Sequence, residues 1–197
     1  MRWYCKGQQG SHGPVPLCPH CFVGAWSLGA NKVYPESRAQ NRISKKALEF
    51  YERNYGFKRP LNVLCSSSFL KKWRSAGEIE KRLLSVLGKK AVVWATNCVL
   101  QELGGGGYEG KVYSCDHQST TGKSCLHQIA KQESSKHLFA TDNTYFGKTL
   151  LKLAGVPVIL LQRRALMLKK PSGAQRAFAK ERKAARMAEA EAQPKEG

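Results

Sequence analysis

The chain has 197 residues, 42% of them apolar, which suits one cored domain with appendages or at most two small domains. Lys and Arg number 33 against 14 Asp and Glu, a formal net charge of +19, and such a surplus points to a polyanionic partner, nucleic acid ahead of an anionic membrane surface. No apolar run approaches the ~18–20 residues of a membrane span and no apolar block suits a signal peptide, so the expectation is a soluble intracellular protein without a membrane partner.

Residues 1–40 are rich in Gly and Pro, show no periodicity and read as a disordered leader. Within them, Cys18 and Cys21 have the two-residue gap of a zinc knuckle, with Cys5, His12 and His20 as the available partners. The seven cysteines of the chain have no regular spacing, which favours free or metal-binding thiols over disulfides. Order is expected from about residue 41. Ile43, Ala47, Phe50, Tyr51 and Tyr55 recur at helical spacing, and Gly56 supplies a stop. After Pro60, LNVLC reads as a buried strand, and Phe69–Leu87 as one amphipathic helix closed by Gly88. Ala91–Ala95 is a second strand, and Asn97–Leu103 a helix that ends in Gly104–Gly107. Those four glycines lack the Lys-Ser/Thr of a phosphate loop. HLFAT, Thr144–Leu153 and VPVILLQ continue as strand, helix, strand. The alternation predicts an α/β fold with a parallel sheet covered on both faces. Residues 171–197, rich in Ala, Lys, Arg and Glu, predict a basic helical tail.

Functional groups of open α/β sheets gather at the carboxyl ends of the strands. Here those ends carry Ser66, the segment leading to Glu102, and Asp142. A magnesium nuclease needs a cluster of carboxylates there to hold the ion that activates water. Two acids and a serine make a degenerate site. Just before the last acid, Cys115, His117, Cys125 and His137 read C-x-H-x7-C-x11-H, a donor set suited to a structural zinc. The same residues also fit buried thiols with surface histidines, and His127 is a rival ligand. For RNA, the candidate phosphate contacts are Arg42, Lys45, Lys46, Arg53, Lys58 and Arg59, then Lys71, Lys72 and Arg74, then Arg163, Arg164, Lys169 and Lys170. Tyr51, Tyr55 and Phe57 lie among them, either as stacking platforms for unpaired bases or as the packed face of a helix.

Several pieces recur in a recognisable order between Arg42 and about Phe178: ALEFYERNYGFKRPLNVL, TNCVLQEL, the spaced Cys-x-His…Cys…His, FATD and GVPVILLQRRALMLKKPS. Over that span the chain resembles the zinc-finger-bearing PIN-domain proteins of the small-subunit processome, the U three protein twenty-three family of rRNA-processing proteins. The resemblance implies a PIN-like three-layer α/β/α domain over 41–170 with a zinc-finger insertion at about 105–137. It implies work in the nucleus, in the nucleolus, on pre-ribosomal RNA and small nucleolar RNA, alongside small-subunit processome proteins. It also implies a structural zinc on Cys115, His117, Cys125 and His137, which match the family's ligand types in order. Where typical members have Asp-Gly-Thr-Phe, this chain has Ser66, Ser67, Ser68 and Phe69, so the first acid is lost. Glu102 matches the second acid, and Asp142 or Asn143 the third. The expectation is therefore a non-catalytic assembly factor that binds RNA, the alternative being an active metal-dependent PIN endoribonuclease.

Overall fold

In the computed structural model the described residues are 38–73, 75–105, 108–117, 121–163 and 165–192. The leader up to residue 37, with its Cys18–Cys21 motif, lies outside them, as do Arg74 and Arg164. Helix α1, Arg38–Tyr55, buries Ser44, Ala47, Leu48 and Tyr51, the i, i+3, i+4, i+7 stripe of one helical face. It begins inside the stretch read as leader. Gly56, at φ 71°, releases the chain into β1, Leu61–Cys65.

The single helix expected over Phe69–Leu87 is two helices, α2 (Ser67–Leu70) and α3 (Ala76–Leu87). The cause is local. Ser66 caps α2 by accepting from the Phe69 amide, and Ser75, in extended conformation after the end of α2, caps α3 by accepting from the Glu78 amide and so separates the two helices. Strand β2 (Ala91–Thr96), helix α4 (Asn97–Glu102), strand β3 (Lys111–Tyr113), helix α5 (Gly122–Gln132), strand β4 (Leu138–Thr141) and helix α6 (Thr144–Leu150) follow. Strands β5 (Val158–Gln162) and β6 (Ala165–Leu168) and helix α7 (Gly173–Ala192) complete the described fold.

The six strands form one sheet in the order β3-β2-β1-β4-β5-β6. All pairs are parallel except β5–β6, which is an antiparallel hairpin turning at Arg163 in a left-handed conformation, φ 48°. The wholly parallel sheet of the sequence reading thus needs correction at this edge. Helices α1 and α3 pack together on one face, with α7 against α1, while α4, α5 and α6 pack on the other. The three-layer α/β/α arrangement is the one expected. Segment 105–137, expected as an insertion, is woven into the sheet: it supplies edge strand β3 and the connecting helix α5. Central strands β1 and β4 are nearly free of exposed side chains, as parallel strands covered on both faces must be. Among the described residues no helix is long and apolar enough to cross a membrane.

One buried glutamine fixes α7. The side chain of Gln175 accepts from the Tyr51 hydroxyl at 2.8 Å and donates to the carbonyls of Leu153 at 2.8 Å and Val156 at 2.9 Å. Replacing it with leucine strands the Tyr51 hydroxyl and two carbonyls without partners, so Gln175→Leu is expected to cost about 1–3 kcal/mol or more in urea unfolding followed by circular dichroism.

Candidate functional site

Two groups of polar side chains meet the helices that follow the strands. The first is built by α4, the β3–α5 connection and α5. Thr96, ending β2, accepts from the Val99 amide and starts α4, which places Cys98 in its first turn. Thr121 likewise starts α5 and places Cys125 in its first turn. Cys115 and His117 follow β3 directly. The ligand atoms of Cys98, Cys115, His117 and Cys125 lie within 4.8 Å of one another. The Cys98 Sγ is 3.7 Å from the Cys115 Sγ and 3.4 Å from the His117 Nε2. The Cys125 thiol donates to the Thr96 hydroxyl at 3.3 Å, and burial pushes its pKa up to about 12 despite that bond.

Three of the four expected ligands are therefore together, and the fourth is corrected. His137 is not in the group; Cys98 takes its place. His137 is buried immediately before β4, edge-on to Tyr113 with ring centroids 5.4 Å apart. Its Nε2 donates to the Glu133 carboxylate at 3.1 Å, one helical turn earlier, and its Nδ1 is buried without a partner. Burial lowers the pKa of this imidazole more than Glu133 raises it. Burial would raise Glu133, but the hydrogen bonds from His137 and Lys136 outweigh it and leave the carboxylate favoured. The pair is thus a neutral imidazole on a carboxylate. His127, the rival, is also outside the group. The signal that finds Cys98 is the order C-x16-C-x-H-x7-C, legible once thiols beyond the local cluster are counted.

The second group is the acid edge. Ser66, Glu102 and Asp142 do gather at the carboxyl ends of β1, β2 and β4, spanned by three consecutive serines. Ser66 is buried; its hydroxyl donates to the Thr141 hydroxyl at 3.3 Å while capping α2. The Ser67 hydroxyl donates to Glu102 Oε2, and the Gly122 amide, opening α5, donates to Glu102 Oε1 at 2.6 Å. Glu102 thus serves as an anion on a helix N-terminus. A Cβ on Gly122 would sit 2.9 Å from the Val99 methyl and 3.0 Å from Glu102, so this approach requires glycine. Asp142 accepts from the Ser68 hydroxyl at 2.5 Å and pairs with the Lys72 ammonium at 2.8 Å. Burial would raise its pKa, but Lys72 and Ser68 hold the carboxyl below its ordinary value. Lys72, assigned to RNA by sequence, is here the counter-ion of an acid.

The basic residues divide between sites. Lys46 and Lys170 share one cleft, Arg59 lies 3.8 Å from Glu52, and the Lys45 side chain lies over Gly88 at the end of α3. The Lys169 ammonium reaches Gln162 at 3.4 Å. Lys58, Arg53 and Arg163 are exposed, and Arg164 falls outside the described residues. Tyr51 and Phe57 are buried in the core, so neither is a stacking platform for a base; Tyr55 is half-buried.

The Fcf1 family profile matches residues 85–170, a span that includes the cysteine–histidine group and two of the three acid-edge positions. A solved structure titled "Structure of the PIN domain endonuclease Utp24" is similar at 19% identity and a TM-score of 0.49, over 57% of this chain and 94% of that one. The fold is mixed α/β, a mostly parallel six-stranded sheet between two layers of helices.

The Asp142 pairing has a pH signature. A carboxyl held below its ordinary value of 3.8 contributes stability that is full above that value and is lost as pH falls through the lowered one. Asp142→Asn is expected to cost up to about 1 kcal/mol at neutral pH, and the gap from the parent should close as unfolding is measured at progressively lower pH below about 4.

Proposed function

We propose that this protein is a non-catalytic factor of ribosomal-RNA processing and small-subunit assembly, binding pre-ribosomal or small nucleolar RNA in the nucleolus beside other processome proteins. The observation that carries the reading is the state of the acid edge: both carboxylates are already engaged by the chain's own donors, and the third position is a buried capping serine. A hard divalent cation takes several oxygen ligands, carboxylates foremost. To bind here it would have to displace the Lys72 ammonium from Asp142 and two donors from Glu102, with a hydroxyl where a charge is needed. The matched family profile and the net charge of +19 support the RNA side of the proposal.

The cysteine–histidine group fits zinc, and under this proposal it holds one. With Zn–S of about 2.3 Å and Zn–N of about 2.0–2.1 Å, a tetrahedral ion sets S···S edges of about 3.8 Å and S···N edges of about 3.6 Å. The Cys98–Cys115 and Cys98–His117 separations of 3.7 and 3.4 Å lie close to both edges. Four protein ligands leave no open position, so the ion ties α4, the β3–α5 connection and α5 together and takes no part in chemistry. Thiolates are the binding form, so the raised Cys125 pKa makes loading release a proton there.

Two measurements test this. Metal analysis of the purified protein is expected to give one zinc per chain, lost in Cys98→Ser and Cys125→Ser and kept in His137→Ala; zinc lost only with His137 would restore the sequence assignment. On structured RNA with magnesium or manganese, no cleavage above background is expected. Cleavage abolished by Glu102→Gln would instead establish a metal-dependent endoribonuclease.

A further inference from the structure

A second concentration of charge lies far from the acid edge. Because β6 runs antiparallel to β5, its end returns to the start of the parallel strands: the Lys169 amide donates to the Val158 carbonyl at 2.9 Å, at the first residue of β5. The chain then crosses α1 on its way into α7. Between them is a cleft of about 380 Å³, walled by Arg42 and Lys46 from α1, by Lys170 from the crossing segment and by Arg176 from the first turn of α7. Its floor is Ile43, Ala47 and the half-buried Phe50. Arg176 is held in place by donating Nε and Nη2 to the Pro171 carbonyl at 3.3 and 3.2 Å. A second hollow of about 340 Å³ shares Ile43 and Lys170 and adds Lys169 and Met167. Among the described residues, no acidic side chain lines either hollow.

We propose that these adjoining hollows bind a short run of single-stranded RNA, one unstacked base lying on Phe50 and Ile43 and the flanking phosphates meeting Lys46, Lys170 and Arg176. This deepens the RNA-binding reading and rests on it. Three features select the ligand. The floor is apolar with an aromatic ring, which a base face uses without sequence choice. The rim is cationic, with no acid among its described residues, which suits phosphates spaced along a strand. The two hollows are contiguous, as a chain of nucleotides requires. A duplex hides its base faces and has no use for the floor. The site also lies at the end of the sheet opposite Glu102 and Asp142, so the two can be perturbed separately.

The test is fluorescence-anisotropy titration of the full chain with a labelled, unstructured RNA oligonucleotide at two salt concentrations, with melting curves to confirm folding. Lys46→Glu with Lys170→Glu is expected to weaken binding on the order of tenfold or more and to flatten the salt slope by roughly 0.7 for each phosphate no longer neutralised. The same charge change on the opposite face, Lys123→Glu with Lys131→Glu, should weaken it much less. Ile43→Trp, which fills the cleft and keeps every charge, should weaken binding without changing the salt slope, and a matched RNA duplex should compete poorly. Equal losses in the two charge pairs, or unchanged binding in Ile43→Trp, would overturn the cleft while leaving RNA binding standing. Displacement of the RNA by a poly-glutamate peptide whose own binding needs Lys46 and Lys170 would reassign the cleft to an acidic protein segment. Absence of any RNA binding by the parent at low salt would remove the functional reading along with it.

Discussion

At the carboxyl ends of β1, β2 and β4 the chain passes into a helix with almost no spacer, and a short polar side chain closes each turn. Ser66 accepts from the Phe69 amide, Thr96 from the Val99 amide and Asn143 from the Phe146 amide. Each cap satisfies a helix donor that would otherwise be buried without a partner. This shared constraint places the polar groups of the acid edge and the first thiol of the cysteine–histidine group. It sets Cys98 in the turn beyond Thr96, Ser67 and Ser68 one and two residues beyond Ser66, and Asp142 just before Asn143. A serine at the first acid position is therefore more than a missing charge. A carboxylate there can cap a helix and bind a metal, whereas this hydroxyl caps α2 and reaches Thr141.

The two acids follow the same logic toward structure. Glu102 closes α4 at one end and holds the first amide of α5 at the other, joined by a glycine that leaves room for nothing larger. Asp142 joins β4 to α2 through Ser68 and to the turn after α2 through Lys72. The cysteine–histidine group lies on the same α4–α5 layer, so a metal there and the Glu102 bridge would fasten the same two helices from different sides. Preorganised anions that already have partners stabilise a fold, and for the same reason they are poor at capturing a cation from water.

The elements legible from sequence are those whose burial leaves a period or an uninterrupted apolar run: α1, β1, β2, β4 and β5. Helix α5 carries such a stripe, Cys125, Leu126, Ile129 and Ala130, but within a segment whose Cys and His spacing suggests a zinc-finger insertion; β3 and β6 have neither signal. β3 is three residues at the sheet edge, with Lys111 and Val112 exposed, and has no pattern to detect. β6 follows a turn at Arg163, whose left-handed backbone carries none of the Asn or Gly that normally announces a hairpin. The break between α2 and α3 depends on Ser75 acting as a cap, and a serine in a helical window does not declare which role it takes. The cysteine–histidine group shows the limit most clearly. Cys115, His117 and Cys125 are close in sequence, but their fourth partner comes from the helix that follows the strand beside β3, and pairing β2 with β3 is what brings Cys98 to them. His137 is near these residues along the chain, yet it is not among the four whose donor atoms lie within 4.8 Å of one another.

Charge is divided along the strands in a way that local motifs do not reveal. At the carboxyl edge an acid and a lysine cancel, and a second acid lies on a helix terminus. At the opposite edge, cations from α1 and from the segment after β6 face one hollow with no acid among its described residues. Parallel strands put all their starts at one end, so only an antiparallel strand can deliver a chain ending such as Lys169–Lys170 to that end without another helix. The β5–β6 hairpin is thus what builds the basic cleft. The field of a net +19 chain is strongest where cations outnumber the acids around them. Under the proposed function, phosphates would meet this cleft at the start of the strands, at the opposite end of the sheet from Glu102 and Asp142.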